Sequence, residues 1–410
     1  MATPVSRILP QPEATESPRQ PPALTDDVLE EILLRVASPT DLARASAACA
    51  TFRRIAADPA FLRRYRSLHP PLLLGVLNSR PPLGFDPVEA DYPNAPAARA
   101  LAAAADFSFE FVPLTGQRRW RIADVRRGRV LLMSSDAVRP DGFLSRDLAV
   151  CNPLSRQYLL LPPIPGDLLA SVQAQVSKGN IQYFEAFLAP NGEEDETSFR
   201  VIGRTHCEAN SVVFVFSSGS RLWSVGTSTS WGALSLSVLS YPTLYHLIYA
   251  SYAYGCFYWK VKLKNKLLKL DISMMEFSAV ELPPDHDVKD VIIVEAGEGR
   301  TGMLSLINSR RCVRYSIQQN KGQNANEWQV ENTIRLPIRY DFSFVGAAEE
   351  YVILLGDQVD VVDEEEHLVD TIVFSLHIKT SKIERVGWTD SYDIRGAYFG
   401  FPPSMSRRIM

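Results

Sequence analysis

The sequence predicts an α+β multidomain chain, with a small N-terminal all-α bundle followed by a large all-β domain. Three observations carry that reading. Fifteen of 28 prolines lie in the first hundred of 410 residues, against two of 22 glycines and five of the 40 aromatic residues. Apolar residues between 24 and 69 recur at helical spacing. From residue 106 onward they fall instead into short runs separated by turn residues, the texture of strands.

The composition removes several classes. At 46% hydrophobic the chain has ample material for a core. No run of about 18 apolar residues predicts a membrane span, and the first 22 residues lack the apolar stretch of a secretion signal. A net charge of -4 offers no electrostatic case for bulk nucleic-acid binding. Five scattered cysteines, with no Cys-x-x-Cys spacing, fit a reducing compartment, so cytoplasm and/or nucleus is expected.

Residues 1–22, rich in Pro, Gln, Ser and Glu, read as a disordered tail. Residues 23–69 read as the bundle. Thr25 is placed to cap a helix with Asp26 and Asp27 in its first turn. Val28, Leu29, Ile32, Leu33 and Val36 then form one apolar face, with Glu30, Glu31 and Arg35 towards water. Pro39 opens a second helix carrying Leu42, Ala45 and Ala48, and Phe52 and Ile55 extend the apolar face into a third. Asp58-Pro59 restarts the chain before Phe61, Leu62 and Tyr65. A bundle this small rarely buries enough surface alone, so its first helix calls for a partner. Residues 70–105, with seven prolines and an alanine run, read as a connector containing one possible strand at 72–77.

Residues 106–405 read as the β domain, from runs such as 129–133, 211–216, 256–263, 291–295, 351–355 and 372–378. A degenerate repeat runs through them. A strand, a polar turn and a return strand end at Leu161-Pro162, at Leu282-Pro283 and at Leu336-Pro337, and a fourth unit turns near Lys379. Each looks like the outer hairpin of one sheet. A period of 50 to 60 residues over about 300 predicts roughly six propeller blades.

Residues 24–36 (LTDDVLEEILLRV), 38–42 (SPTDL) and 49–61 (CATFRRIAADPAF) resemble the F-box motif. Downstream, Arg127 to Leu132, Val150 to Tyr158 and Leu161 to Pro165 are similar to the propeller-like associated domains of plant F-box proteins. The resemblance implies a substrate receptor of an SCF-type cullin-RING ubiquitin ligase. Such a receptor is no enzyme, has no cofactor, binds an adaptor of the Skp1 type through its helices and holds a protein target on its β domain. The contact positions it implies are Leu24, Val28, Leu29, Ile32, Leu33, Val36, Pro39 and Leu42, with Ala45, Ala48 and Phe52 behind them. Thr25 stands where the motif has proline, and Phe52 where it has tryptophan. Alanines replace bulkier residues in the second helix, so less area is available for docking.

Catalytic and metal chemistry has little footing. Gly297 to Gly302 is glycine-rich but precedes no helix, and reads as a hairpin turn rather than a phosphate cradle. His206 and Cys207 lack a second pair at zinc spacing. The acidic runs 193–196 and 363–366 read as solvated loops, and the arginines between 53 and 66 as a solvated face balanced by Asp26, Asp27, Glu30 and Glu31. Six of 15 tyrosines fall between 241 and 258. Blade packing accounts for them, and Tyr245, Tyr249 and Tyr252 are also the candidates for target contact. The alternative functions are a propeller-type glycan hydrolase with a helical appendage, and a binding protein uncoupled from the ligase.

Overall fold

The computed structural model describes residues 24–36, 39–69, 72–79, 82–114, 119–134, 137–138, 144–145, 147–169, 183–189, 198–206, 210–236, 247–261, 263–287, 289–319, 327–358, 371–389 and 393–400. The expected tail at 1–22 lies outside them. The chain divides into two compact units, Met1–Pro70 and Pro71–Met410.

The first unit is built from α1 (Asp26–Leu34), α2 (Pro39–Ala48), α3 (Ala50–Ala56) and α4 (Pro59–Leu68). Its helix starts follow local chemistry. Thr25 holds the N-cap position of α1 with extended backbone and without a side-chain bond. Cys49 Sγ accepts the Phe52 N–H at 3.4 Å. Asp58 accepts from Ala60 N at 2.7 Å and Phe61 N at 3.2 Å, with Pro59 in the first turn where its missing N–H does no harm. Asp58→Ala is therefore expected to lower bundle stability by about 1 kcal/mol in a urea titration followed by helical circular dichroism. Leu33, Leu34, Leu42, Ile55, Phe61 and Tyr65 form the core. The Tyr65 hydroxyl donates to the Val36 carbonyl at 2.8 Å. The outer face is paired as charge balance predicts: Arg54 with Asp26 at 2.5 Å, and Arg64 with Glu30 and Glu31 at 2.5 and 2.6 Å.

The second unit is a six-bladed β-propeller. Its first strands are β1 (Leu73–Asn78) and β2 (Gly84–Pro87), followed by helix α5 (Ala95–Ala104). Blade 1 is β3 (Trp120–Arg126), β4 (Arg129–Ser134), β7 (Leu148–Asn152) and β8 (Gln157–Leu160), with a small hairpin, β5 (Ala137–Val138) and β6 (Leu144–Ser145), interposed. Blade 2 comprises β9 (Tyr183–Ala189), β10 (Arg200–His206), β11 (Asn210–Ser217) and β12 (Leu222–Ser230). Blade 3 comprises β13 (Leu247–Ala253), β14 (Cys256–Val261), β15 (Lys266–Asp271) and β16 (Glu276–Glu281). Blade 4 comprises β17 (Val291–Glu295), β18 (Thr301–Ile307), β19 (Cys312–Gln318) and β20 (Trp328–Arg335). Blade 5 comprises β21 (Tyr340–Ala348), β22 (Tyr351–Gln358), β23 (Thr371–His377) and β24 (Ile383–Thr389). All are antiparallel meanders.

The sixth blade joins the two ends of this unit. β25 (Ile394–Phe399) pairs with β1, and β1 pairs with β2, so Val76 faces Ala397 on one side and Asp86 on the other. This corrects the expected connector at 70–105: β1 and β2 are strands of the ring, and α5 packs on its core. The run Leu72 to Leu77 is apolar because β1 is a central strand, and its partner lies more than 300 residues away, beyond any local pattern. A Cβ on Gly75 would collide with the Asp86 carbonyl, so glycine is required where these strands cross closely. The alanine run is α5, whose Ala95, Ala98 and Leu101 pack on the same core.

The repeated Leu-Pro marks have a physical basis. Leu161 N–H bonds to the Leu148 carbonyl at 2.9 Å, Leu282 N–H to Asn265 at 2.8 Å and Leu336 N–H to Arg311 at 3.0 Å. In each case the leucine is buried and closes the outer hairpin against the start of the third strand. Proline next to it cannot donate, which ends the ladder. In blade 2 the outer strand ends at Ser230 and is followed by the buried Trp231 instead of Leu-Pro, which is why the repeat skipped it.

Candidate functional site

Each unit presents one candidate surface. On the helical unit, Leu24, Val28 and Ile32 follow one another at four-residue steps, and are 57%, 44% and 47% exposed. The remaining contact positions implied by the resemblance separate from this stripe. Leu33 and Leu42 are core residues, while Leu29, Val36, Ala45 and Phe52 are partly buried against that core. Ala48 is exposed. Pro39 begins α2, and its side chain lies outside the described set. Leu34, absent from the expected face, is buried in the core. The leucine pair at 33–34 carried too little angular information to separate core from surface.

On the propeller, the innermost strands of blades 1, 3, 4 and 5 end at one rim, where each turns outward into the second strand. Three of these turns are two-residue hairpins with both residues in the left-handed region: Arg127-Gly128, Tyr254-Gly255 and Glu349-Glu350. That geometry matches strand twist, but it is unusual for Arg, Tyr and Glu, and it holds their side chains on short, stiff tips. The corresponding turn of blade 4 starts at Glu295 and contains Gly297, Glu298 and Gly299. The glycine-rich segment is thus a hairpin turn, as expected.

Cross-blade contacts knit this rim together. The Arg126 guanidinium, from blade 1, lies 4.0 Å from the centre of the Tyr252 ring of blade 3 and 6.0 Å from that of Phe257. Glu295 Oε1 accepts the Tyr254 N–H at 2.8 Å, and the Tyr254 hydroxyl accepts the Gly297 N–H at 2.9 Å. One rung deeper, Asp124 accepts from Val125 N at 2.8 Å and from Leu188 N of blade 2 at 2.8 Å. Burial pushes the Asp124 carboxyl up, opposed by Arg126 and these two bonds. Loss of water also pushes the Glu349 carboxyl up, against the attraction of Arg127 and Arg126. Glu350 is bound to Lys379 at 2.5 Å.

Of the three candidate tyrosines, Tyr252 reaches this rim, its phenol pushed up by burial and drawn back by Arg126. Tyr249 lies in β13 with its side chain outside the described set, and Tyr245 is outside it altogether. Tyr258 is buried, in agreement with blade packing. Sequence reading missed Arg126, Arg127, Glu295 and Glu349, whose common feature is a place at the end of an inner strand. His206 is a buried strand residue 4.8 Å from the Trp231 ring, and Cys207 lies outside the described residues. Among the described residues no three His, Cys, Asp or Glu are grouped to hold a metal, and no helix is long and apolar enough to cross a membrane.

Residues 121–395, well over half of the chain, match the family described as F-box protein AT5G49610-like, beta-propeller. The chain belongs to this family of F-box-type propellers. The matched span runs from blade 1 to the first residues of β25, so the rim of this F-box-type propeller lies within it. No curated protein matches the chain. Similar solved structures include YCF48 bound to D1 peptide, at 8% identity and a TM-score of 0.36, covering 66% of this chain and 68% of that one. The N-terminal domain of Nup159 is similar at 11% identity and a TM-score of 0.30, covering 72% and 68%. The propeller domain of the Trilobed protease from Pyrococcus furiosus is similar at 9% identity and a TM-score of 0.36, covering 67% and 72%. The strand pairing above, and not these likenesses, defines the fold.

Proposed function

We propose that the protein is a substrate receptor of an SCF-type cullin-RING ubiquitin ligase. The helical unit docks a Skp1-type adaptor, and the propeller holds a target protein. Membership of an F-box-type propeller family supports a receptor role. The observation that carries the adaptor half is the exposed stripe Leu24, Val28 and Ile32 on a bundle whose other large apolar residues are mostly turned inward. Side chains at four-residue steps on one helix suit insertion into an apolar groove. The receptor transfers nothing itself; it raises the local concentration of target at the ligase.

Thr25 contributes no capping bond, and Phe52 is half-buried in its own bundle, so docking rests mainly on α1. The double variant Val28→Asp/Ile32→Asp changes exposed positions only. It is expected to lose co-purification with the adaptor while helical circular dichroism and melting stay as in the parent. Unchanged capture would refute the docking surface. Leu33→Asp is no substitute, because it would disrupt the core.

A further inference from the structure

We infer that the propeller rim formed by Arg126, Arg127, Tyr252 and Tyr254 is a recognition site for an acidic peptide segment, whose carboxylates bind the two arginines. This deepens the receptor reading and rests on it for the ligand being a polypeptide.

The argument starts from the pairing of charges. Arg126 is mostly buried and its Nε is sealed from solvent. The terminal nitrogens of its fork make no hydrogen bond or ion pair among the described residues, and it is these that can meet a ligand. Its guanidinium stacks on the Tyr252 and Phe257 rings and attracts the Asp124 and Glu349 carboxylates without bonding to either. An arginine stacked this way keeps its terminal N–H groups for a planar carboxylate. The carboxylates nearby are otherwise engaged or displaced. Asp124 is held by two backbone N–H groups, Glu295 by the Tyr254 N–H, and Glu350 by Lys379. Glu349 makes no ion pair with either arginine, although both attract it, so it competes with a ligand carboxylate. A partly desolvated guanidinium whose terminal nitrogens lack a hydrogen-bonded counter-charge favours an added anion.

The surroundings favour a peptide. Arg127 stands on a stiff left-handed turn beside Arg126, offering a second fork to a neighbouring acidic side chain. Across the rim, Tyr254 is 38% exposed, and its ring is fixed by the hydrogen bond its hydroxyl accepts from Gly297, a preorganised anchor of the kind that concentrates binding energy. Two cations flanked by fixed aromatic rings suit a short chain of carboxylates and apolar groups better than a small inorganic anion.

The test uses the full-length protein and isothermal titration with three probes: an octapeptide of glutamate and glycine, the matching lysine peptide, and inorganic phosphate. The acidic peptide is expected to bind, more weakly as salt rises. Arg127→Asn, a residue that tolerates the left-handed turn, is expected to weaken it about tenfold. Arg126→Gln is expected to weaken it further, and Glu349→Gln to tighten it. Arg126→Lys, which keeps the charge and loses the fork, should fall between parent and Gln. Melting temperature and adaptor capture are measured on the same preparations. No binding of the acidic peptide at about 1 mM, equal binding of the lysine peptide or of phosphate, or unchanged binding in both Arg127→Asn and Arg126→Gln would overturn the inference. Adaptor capture persisting alongside any of these results would leave the receptor reading standing.

Discussion

A chain ending at Thr389 is expected to lose cooperative unfolding of its propeller, because it lacks β25. That strand is the inner member of the closing blade. Its Ile394, Tyr398 and Phe399 are buried, and Tyr398 lies edge-on to Phe85 and Phe107 at 5.8 and 5.3 Å. The Tyr398 hydroxyl also donates to the Gly128 carbonyl of blade 1 at 2.9 Å, tying the last strand to the first full blade. Burial of three such side chains contributes about 5–8 kcal/mol, comparable with the whole stability of an ordinary domain, about 5–15 kcal/mol. Removal also leaves β1 with an unpaired edge, an invitation to aggregation. Thermal melting by near-ultraviolet circular dichroism, with limited proteolysis, would show a broad, early transition. A sharp melt at the parental temperature would contradict the closure. Tyr398→Phe isolates one bond and is expected to cost only about 1 kcal/mol.

The second large effect concerns Lys260, buried at the end of blade 3. Its ammonium donates to the carbonyls of Val261 at 2.7 Å, Lys264 at 2.6 Å and Asp287 at 3.3 Å. Burial nevertheless lowers its pKa from 10.5 to about 8, only partly opposed by Asp287 and Asp290. The unfolded chain therefore holds this proton more tightly between those two values, and stability attributable to the group rises with pH across that window. The slope approaches about 1.4 kcal/mol per pH unit. Lys260→Met leaves three carbonyls without their donor and is expected to destabilise the fold by about 2 kcal/mol near neutrality. The parent's alkaline gain should be absent in the variant. Urea titrations of both proteins between pH 7.5 and 9.5, about two units spanning the lower part of the window, would show the difference in midpoints widening. Parallel curves would refute the assignment.

What was legible in the sequence was what is local. The helices of the first unit announced themselves through caps at Asp58 and an apolar period confined to a few turns. Three of the outer hairpins were legible because each ends in a leucine that plugs its own blade. The closing blade was not, since β1 and β25 meet only after the whole ring has formed. The rim was hidden for the same reason: Arg126 and Tyr252 belong to different blades, and no spacing in one strand relates them. The helical face was legible as a face but not as a division of labour. Leu33 and Ile32 are neighbours in sequence, yet one is core and the other is surface.

The joining of β1 to β25 also sets an order in time. During synthesis the four helices are complete once residue 69 has emerged, whereas β1 waits for a partner that begins at residue 394. At ordinary translation speeds that wait is about 15–60 s. Throughout it the helical stripe is finished and the ring is open. A prematurely terminated chain would thus carry the first surface without a closed version of the second.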